Sequence, residues 1–213
     1  MGNIVIVGAS QHAQVVIEIV ELEAKHQVAG LLDKRRVKGE EVFGYPVLGT
    51  EQDLMELRSR LNLSGILIGI GNNHLRENVA RDIEARCPDI EFIVAKHPEA
   101  TISDKAKIGP GSVVMAGAVI NPGTRIGKHG IVNTGVTLDH DNLVADFVNI
   151  SPGITTGENC RINNCANIGI GATLVPDVSI GENAVVGAGS LVLKSVDANT
   201  LAYGNPAQTI RQL

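Results

Sequence analysis

The stretch IGPGSVVMAGAVINPGTRIGKHGIVNTGVTLDHDNLV, Ile108 to Val144, repeats an aliphatic residue every six positions: Ile108, Val114, Ile120, Ile126, Val132, Leu138 and Val144. Followed outward, the register runs from Ile102 through Ile150, Thr156, Ile162, Ile168, Leu174, Ile180 and Val186 to Val192, and Thr156 is its one non-aliphatic member. The position four residues later is mostly small, as at Ala106, Ser112, Ala118, Ala166, Ala172, Ala184 and Ser190. A period of six belongs neither to a helix nor to a simply alternating strand. It describes a solenoid in which each hexad supplies a short strand and a turn. Three hexads close one triangular coil, so residues eighteen apart should stack in columns one strand spacing, about 4.8 Å, apart.

Composition agrees. Aromatic residues make up 2% of the 213, with no Trp, against 24 glycines, which suits a narrow aliphatic interior with many tight turns. A net charge of −5 and pI near 5.7 give no electrostatic attraction for nucleic acid or an anionic membrane. No apolar run reaches the length of a spanning helix and MGNIVIVGAS has no basic n-region, so a cytoplasmic protein is expected. Cys87, Cys160 and Cys165 lack CxxC spacing and read as buried small hydrophobes.

Residues 1–97 follow another rule. NIVIVG (3–8), VAGLLD (28–33), GILIGI (65–70) and IEFIVA (90–95) read as strands. Between them lie helices at 11–24, with Val15, Ile19 and Leu22 as its apolar positions, at 50–61 with Thr50 as N-cap, and at 72–87. This predicts a small Rossmann-like parallel sheet at 1–97, with the β-helix occupying 98–213. The turn Gly8-Ala9-Ser10-Gln11-His12 offers backbone N–H groups at a helix start, a natural site for a diphosphate, and Asp33 ends the second strand where a ribose or base could be bound. Arg76 is either structural or a phosphate contact.

Within the solenoid, Asp139-His140-Asp141 places an imidazole on a turn, where side chains leave the prism. Its ordinary pKa near 6.5 suits a general base, and either flanking carboxylate could orient it. His26, His74, His97 and His129 read as surface residues.

The hexads, with GNPAQTIR at 204–211, resemble the hexapeptide-repeat acyltransferases, whose coils form a left-handed parallel β-helix. IVGASQHA, LIGIGNNHLR and NTGVTLDHD are similar to segments of a subgroup that acetylates nucleotide-linked amino sugars, with sialic acid O-acetyltransferases as relatives. That resemblance implies an acetyl-CoA-dependent N-acetyltransferase of a nucleotide-linked 4-amino-4,6-dideoxy sugar for bacterial surface glycans. It implies His140 as base with Asp141 as its orienter. It also implies sugar-nucleotide contacts at Ser10, Gln11, His12, Asp33, Lys34 and Gly71, acetyl-CoA contacts at Asn149, Ile170 and Ala188, and a homotrimer. The chain departs from the subgroup at Gln11, where a glycine is usual, and at Asn149, where a second histidine is frequent. Sialic acid-type O-acetylation and a non-catalytic sugar-nucleotide sensor are the alternatives. A zinc enzyme of the same fold would need three histidines where the solenoid has His129 and His140, so no metal is expected.

Overall fold

A computed structural model describes all 213 residues, which divide into two compact units, Met1–Pro98 and Glu99–Leu213. In the first, β1 (Gly2–Val7), α1 (Gln11–Glu23), β2 (His26–Leu32), β3 (Glu41–Val42), β4 (Tyr45–Gly49), α2 (Leu54–Leu61), β5 (Leu63–Ile68) and α3 (Asn73–Arg86) follow in order. The sheet runs β3-β4-β2-β1-β5, parallel except for the short β3–β4 pair. β1 is an interior strand, flanked by β2 and β5, and its Ile4, Val5, Ile6 and Val7 are wholly buried, as a strand covered on both faces requires.

The first helix buries a different stripe from the expected one. Ala13, Val16, Ile17, Ile19 and Val20 face inward, while Val15 and Leu22 are exposed. Helical spacing allows either face; the close approach of α1 to β5 selects the one bearing Ala13, whose Cβ would meet any side chain added at Gly69. The expected helix at 50–61 opens as a 3-10 turn, Glu51–Asp53, capped by Thr50 in a capping box, before α2 begins. The segment 90–95 is not a full strand. It makes one parallel bridge, Ile66 to Phe92, because Ile93 and Glu91 pair only locally with Ile66 before the chain departs.

The second unit is a left-handed parallel β-helix. Each of the sixteen register residues from Ile102 to Val192 is the second residue of a two-residue strand. Residues eighteen apart pair in parallel: Ile120 with Leu138, Ile126 with Val144, Val132 with Ile150. Three ladders result, and their inward aliphatics form one continuous core to Val192, closed by a hairpin of Thr200–Gly204 and Ala207–Gln212. Burying each Val, Ile or Leu contributes roughly 1.5–3 kcal/mol of transfer free energy, so the regular register is itself the stabilising device. Thr156 keeps its place inside, 3% exposed.

Cys87, Cys160 and Cys165 are buried free thiols, as expected. His129 is not a surface residue: it is 1% exposed, and its ring stacks on Phe147 with centroids 5.0 Å apart. The reason is columnar. Gly111 lies one coil earlier, and its missing side chain leaves the room the His129 ring occupies.

Candidate active site

Two concave places carry the chemistry, one in each unit. In the first unit a cavity of about 390 Å³ opens at the carboxyl ends of the parallel strands, lined by Gly8, Ala9, Ser10, Leu32, Asp33, Lys34, Arg35, Glu51, Ile70, Gly71, Asn72, Leu75 and Val79. This is where an open parallel sheet binds ligands, beside the point at which the strand order reverses around β1. Gly8 turns the chain at φ 104°, a left-handed value that favours glycine, and donates its N–H to Leu32 O at 2.7 Å. Ser10 caps α1 by position and donates its hydroxyl to Gly69 O at 3.1 Å.

Asp33 is committed largely to shaping this mouth. Its Oδ2 accepts the Ala9 N–H at 2.8 Å and its Oδ1 the Arg35 N–H at 2.7 Å, tying the turn after β1 to the turn after β2. Arg76, 1% exposed, donates to Ile70 O and Gly71 O, each at 3.0 Å, and to Asn73 Oδ1 at 2.9 Å. Its guanidinium therefore organises the loop after β5. Ser10, Asp33, Lys34 and Gly71 line the cavity, whereas Gln11, exposed, and His12, half-buried, stand in the first turn of α1 and do not line it. Burial, reinforced by the Arg76 charge, lowers the His12 pKa to about 4, so this imidazole is neutral near pH 7.

In the second unit, His140 stands 53% exposed by side chain in an open hollow with Lys105, Asn121, Pro122, Gly123, Asp139 and Asp141. Its Nδ1 lies 2.9 Å from Asp141 Oδ2. Asp141 reaches back because it adopts a left-handed φ of 58° at the turn, a conformation that aspartate tolerates better than most residues. The column matters again: Gly123 lies one coil earlier, and a Cβ there would collide with Asp141 Oδ1. The Asp141 bond raises the His140 pKa, partly opposed by desolvation and assisted by the charges of Asp139, Asp141 and Glu158.

Sequence reasoning offered Asp139 only as a possible orienter of the ring and missed Asn121, Thr124, Asn142 and Thr156, which hold this turn with it. Asp139 Oδ1 accepts the His140 backbone N–H at 2.8 Å and the Asn121 amide at 3.1 Å, and these bonds lower its pKa. Beneath it, the buried Asn142 donates to Asp139 O at 2.7 Å and to Thr156 Oγ1 at 2.9 Å, while its own Oδ1 accepts the Cys160 N–H at 2.8 Å. Thr124 Oγ1 donates to Asp139 O at 2.7 Å. The detectable signal was polarity inside the repeat: Thr156 breaks the aliphatic register, and Asn142 occupies an inward position that is elsewhere small or aliphatic.

Asn149 sits in an amide ladder, accepting from Asn133 at 3.0 Å and donating to Asn167 Oδ1 at 3.0 Å. Ile170, 61% exposed, and Ala188, also exposed, occupy successive coils of one edge, where the Gly189 N–H bonds Ile170 O at 2.8 Å. The structure thus stacks these two together, and Asn149 lies on a neighbouring face of the prism.

Comparison with known proteins converges on one family. Residues 3–83 match the family model described as the PglD N-terminal domain. A histidine-to-asparagine variant of perosamine N-acetyltransferase from Caulobacter crescentus, solved with CoA and GDP-perosamine, is 33% identical. That match has a TM-score of 0.93 and covers 100% of this chain and 98% of that one. The acetyltransferase domain of PglB from Neisseria gonorrhoeae FA1090, solved with acetyl coenzyme A, is 34% identical with a TM-score of 0.90, covering 98% of both chains. UDP-N-acetylbacillosamine N-acetyltransferase of Bacillus subtilis is 36% identical over 119 residues, 54% of this chain, and the match spans about half, 52%, of that relative's length. The chain belongs to the hexapeptide-repeat sugar N-acetyltransferases, enzymes that draw their acetyl group from acetyl-CoA.

Proposed function

We propose that this protein transfers the acetyl group of acetyl-CoA to the 4-amino group of a nucleotide-linked 4-amino-4,6-dideoxy sugar used in bacterial surface glycans, with His140 as the base. The observation that carries the reading is the His140 Nδ1 to Asp141 Oδ2 contact of 2.9 Å on an exposed turn. If Nδ1 holds the proton that Asp141 accepts, Nε2 is left as an outward lone pair. The amine attacks the thioester carbonyl, Nε2 takes the proton the nitrogen must lose, the C–S bond breaks, and the same proton passes to the departing CoA thiolate. Asp141 stabilises the imidazolium between the two transfers.

The sugar nucleotide is placed in the cavity of Ser10, Asp33, Lys34 and Gly71, with its diphosphate on the N–H groups that open α1, and Gln11 and His12 close by. Acetyl-CoA is placed along the edge of Ile170 and Ala188, with Asn149 toward its thioester. The relatives solved with CoA, GDP-perosamine and acetyl coenzyme A support this pairing of substrates. A homotrimer in the cytoplasm completes the reading, neighbouring copies closing the groove for CoA; no helix is long and apolar enough to cross a membrane.

Thiol release from acetyl-CoA with amino-sugar nucleotides is the test. His140→Ala should cost about 10²- to 10⁴-fold in kcat, the usual contribution of a positioned base. Near-normal turnover by that variant would sink the assignment, and sedimentation of the active enzyme at the mass of a single chain would sink the shared groove.

A further inference from the structure

One ionisable group in the strand-end cavity is explained neither by the fold nor by any motif. Glu51, the first residue of the 3-10 turn that follows β4, is 6% exposed and lines the cavity. Its Oε2 is buried without a hydrogen-bond partner, and Lys34 Nζ, at 3.6 Å, is a charge neighbour beyond good hydrogen-bonding distance. A buried carboxylate left in this condition costs stability, so folding alone does not account for it. The contrast with Asp33 is direct. Both Asp33 oxygens take backbone N–H groups of the cavity rim, which leaves Glu51 as the acceptor not committed to the fold.

Its place in the sheet says what it faces. The order β4-β2-β1-β5 sets Glu51, Asp33, the Gly8–Ser10 turn and Gly71 side by side along the strand ends. Glu51 is thus two strands from the anion-binding turn, roughly 10 Å at one strand spacing each. That is the reach of a nucleotide from its diphosphate, across the ribose, to the edge of its base. A carboxylate accepts two parallel hydrogen bonds and donates none. Guanine presents two adjacent donors, N1–H and the 2-amino group. Uracil and thymine present N3–H between two carbonyl oxygens, which a carboxylate repels.

We propose that Glu51 reads the base of the sugar nucleotide and selects guanine over uracil and thymine. This rests on the nucleotide-sugar reading of the cavity. On binding, Lys34, whose side chain is 57% exposed, turns from Glu51 to the diphosphate, and the two guanine donors replace it on the carboxylate. Rejection of the pyrimidines follows from carbonyl oxygens facing a carboxylate that is itself largely buried.

Calorimetric titration of the full-length protein with GDP, UDP and dTDP tests this, together with the Glu51→Gln variant. The wild type should bind GDP at least about tenfold more tightly than UDP or dTDP, the effect of one charge-assisted bond. Glu51→Gln should lose that preference and gain on the pyrimidines, because an amide can accept N3–H and donate to the neighbouring carbonyl. Wild-type binding of UDP or dTDP as tight as that of GDP overturns the guanine assignment while leaving a nucleotide-sugar enzyme. A variant that keeps the full GDP preference overturns the role of Glu51. Absence of binding for all three nucleotides overturns both this assignment and the underlying reading.

Discussion

At the scale of single residues, His140 is set by three independent constraints. Asp141 holds its ring, Asp139 holds its backbone N–H, and Asn142 with Thr124 holds the carbonyl of Asp139 from inside the prism. Each constraint restricts a different freedom, which is how an exposed side chain acquires a defined direction. Because Asp141 is the first cause of the raised His140 pKa, the base is protonated, and silent, over a wider acidic range than a free imidazole. Activity should therefore fall as pH drops through that raised value. Asp141→Asn removes the cause, so the acidic limb of kcat/KM should move to lower pH while kcat itself drops by about tenfold or more. An acidic limb unmoved in this variant would show that Asp141 does not govern the base.

At the scale of elements, the β-helix turns an eighteen-residue separation into direct contact. Gly111 beneath His129 and Gly123 beneath Asp141 obey one rule: where a side chain folds back along an edge, the residue one coil earlier gives up its own. Gly123 also holds φ 77°, which costs an L-residue about 1–2 kcal/mol. Gly123→Ala should lower stability by at least that amount in denaturant melts and, by displacing Asp141, reproduce the pH shift of Asp141→Asn. A variant with a wild-type pH profile would show that the column does not position the carboxylate. The first-unit elements behave differently. Val15 and Leu22 lie as well on a helical stripe as Val16 and Val20, and only the small surface of Gly69 against Ala13 decides which stripe is buried.

At the scale of the whole molecule, the two units respond to acid through different histidines. His12 is neutral in the fold with a pKa of about 4, below the 6.5 of an unfolded chain. Between these values the unfolded state binds the extra proton, so stability conferred above about pH 6.5 is progressively lost as pH falls toward 4, by up to roughly 3 kcal/mol. Thermal melts followed over that window should show the transition of the first unit falling, with His12→Gln flattening the fall. An equal pH dependence in wild type and variant would refute the assignment.

The six-residue period alone determined the β-helix, its column spacing and the outward turn of His140, because in a parallel coil each aliphatic residue can be buried only in that register. The alternation of apolar strands and amphipathic helices likewise determined a parallel sheet with a ligand site at its strand ends. Tertiary structure alone decided the rest: that His129 is stacked and buried, that Asp33 serves the rim, that Arg76 holds a loop, and that Glu51 Oε2 is left without a hydrogen-bond partner in the cavity. Local sequence records which groups can form hydrogen bonds or bury surface. Several of them find partners only eighteen or more positions away, as Phe147 does for His129 and Ala9 for Asp33, and only the closed coil and the closed sheet bring those together.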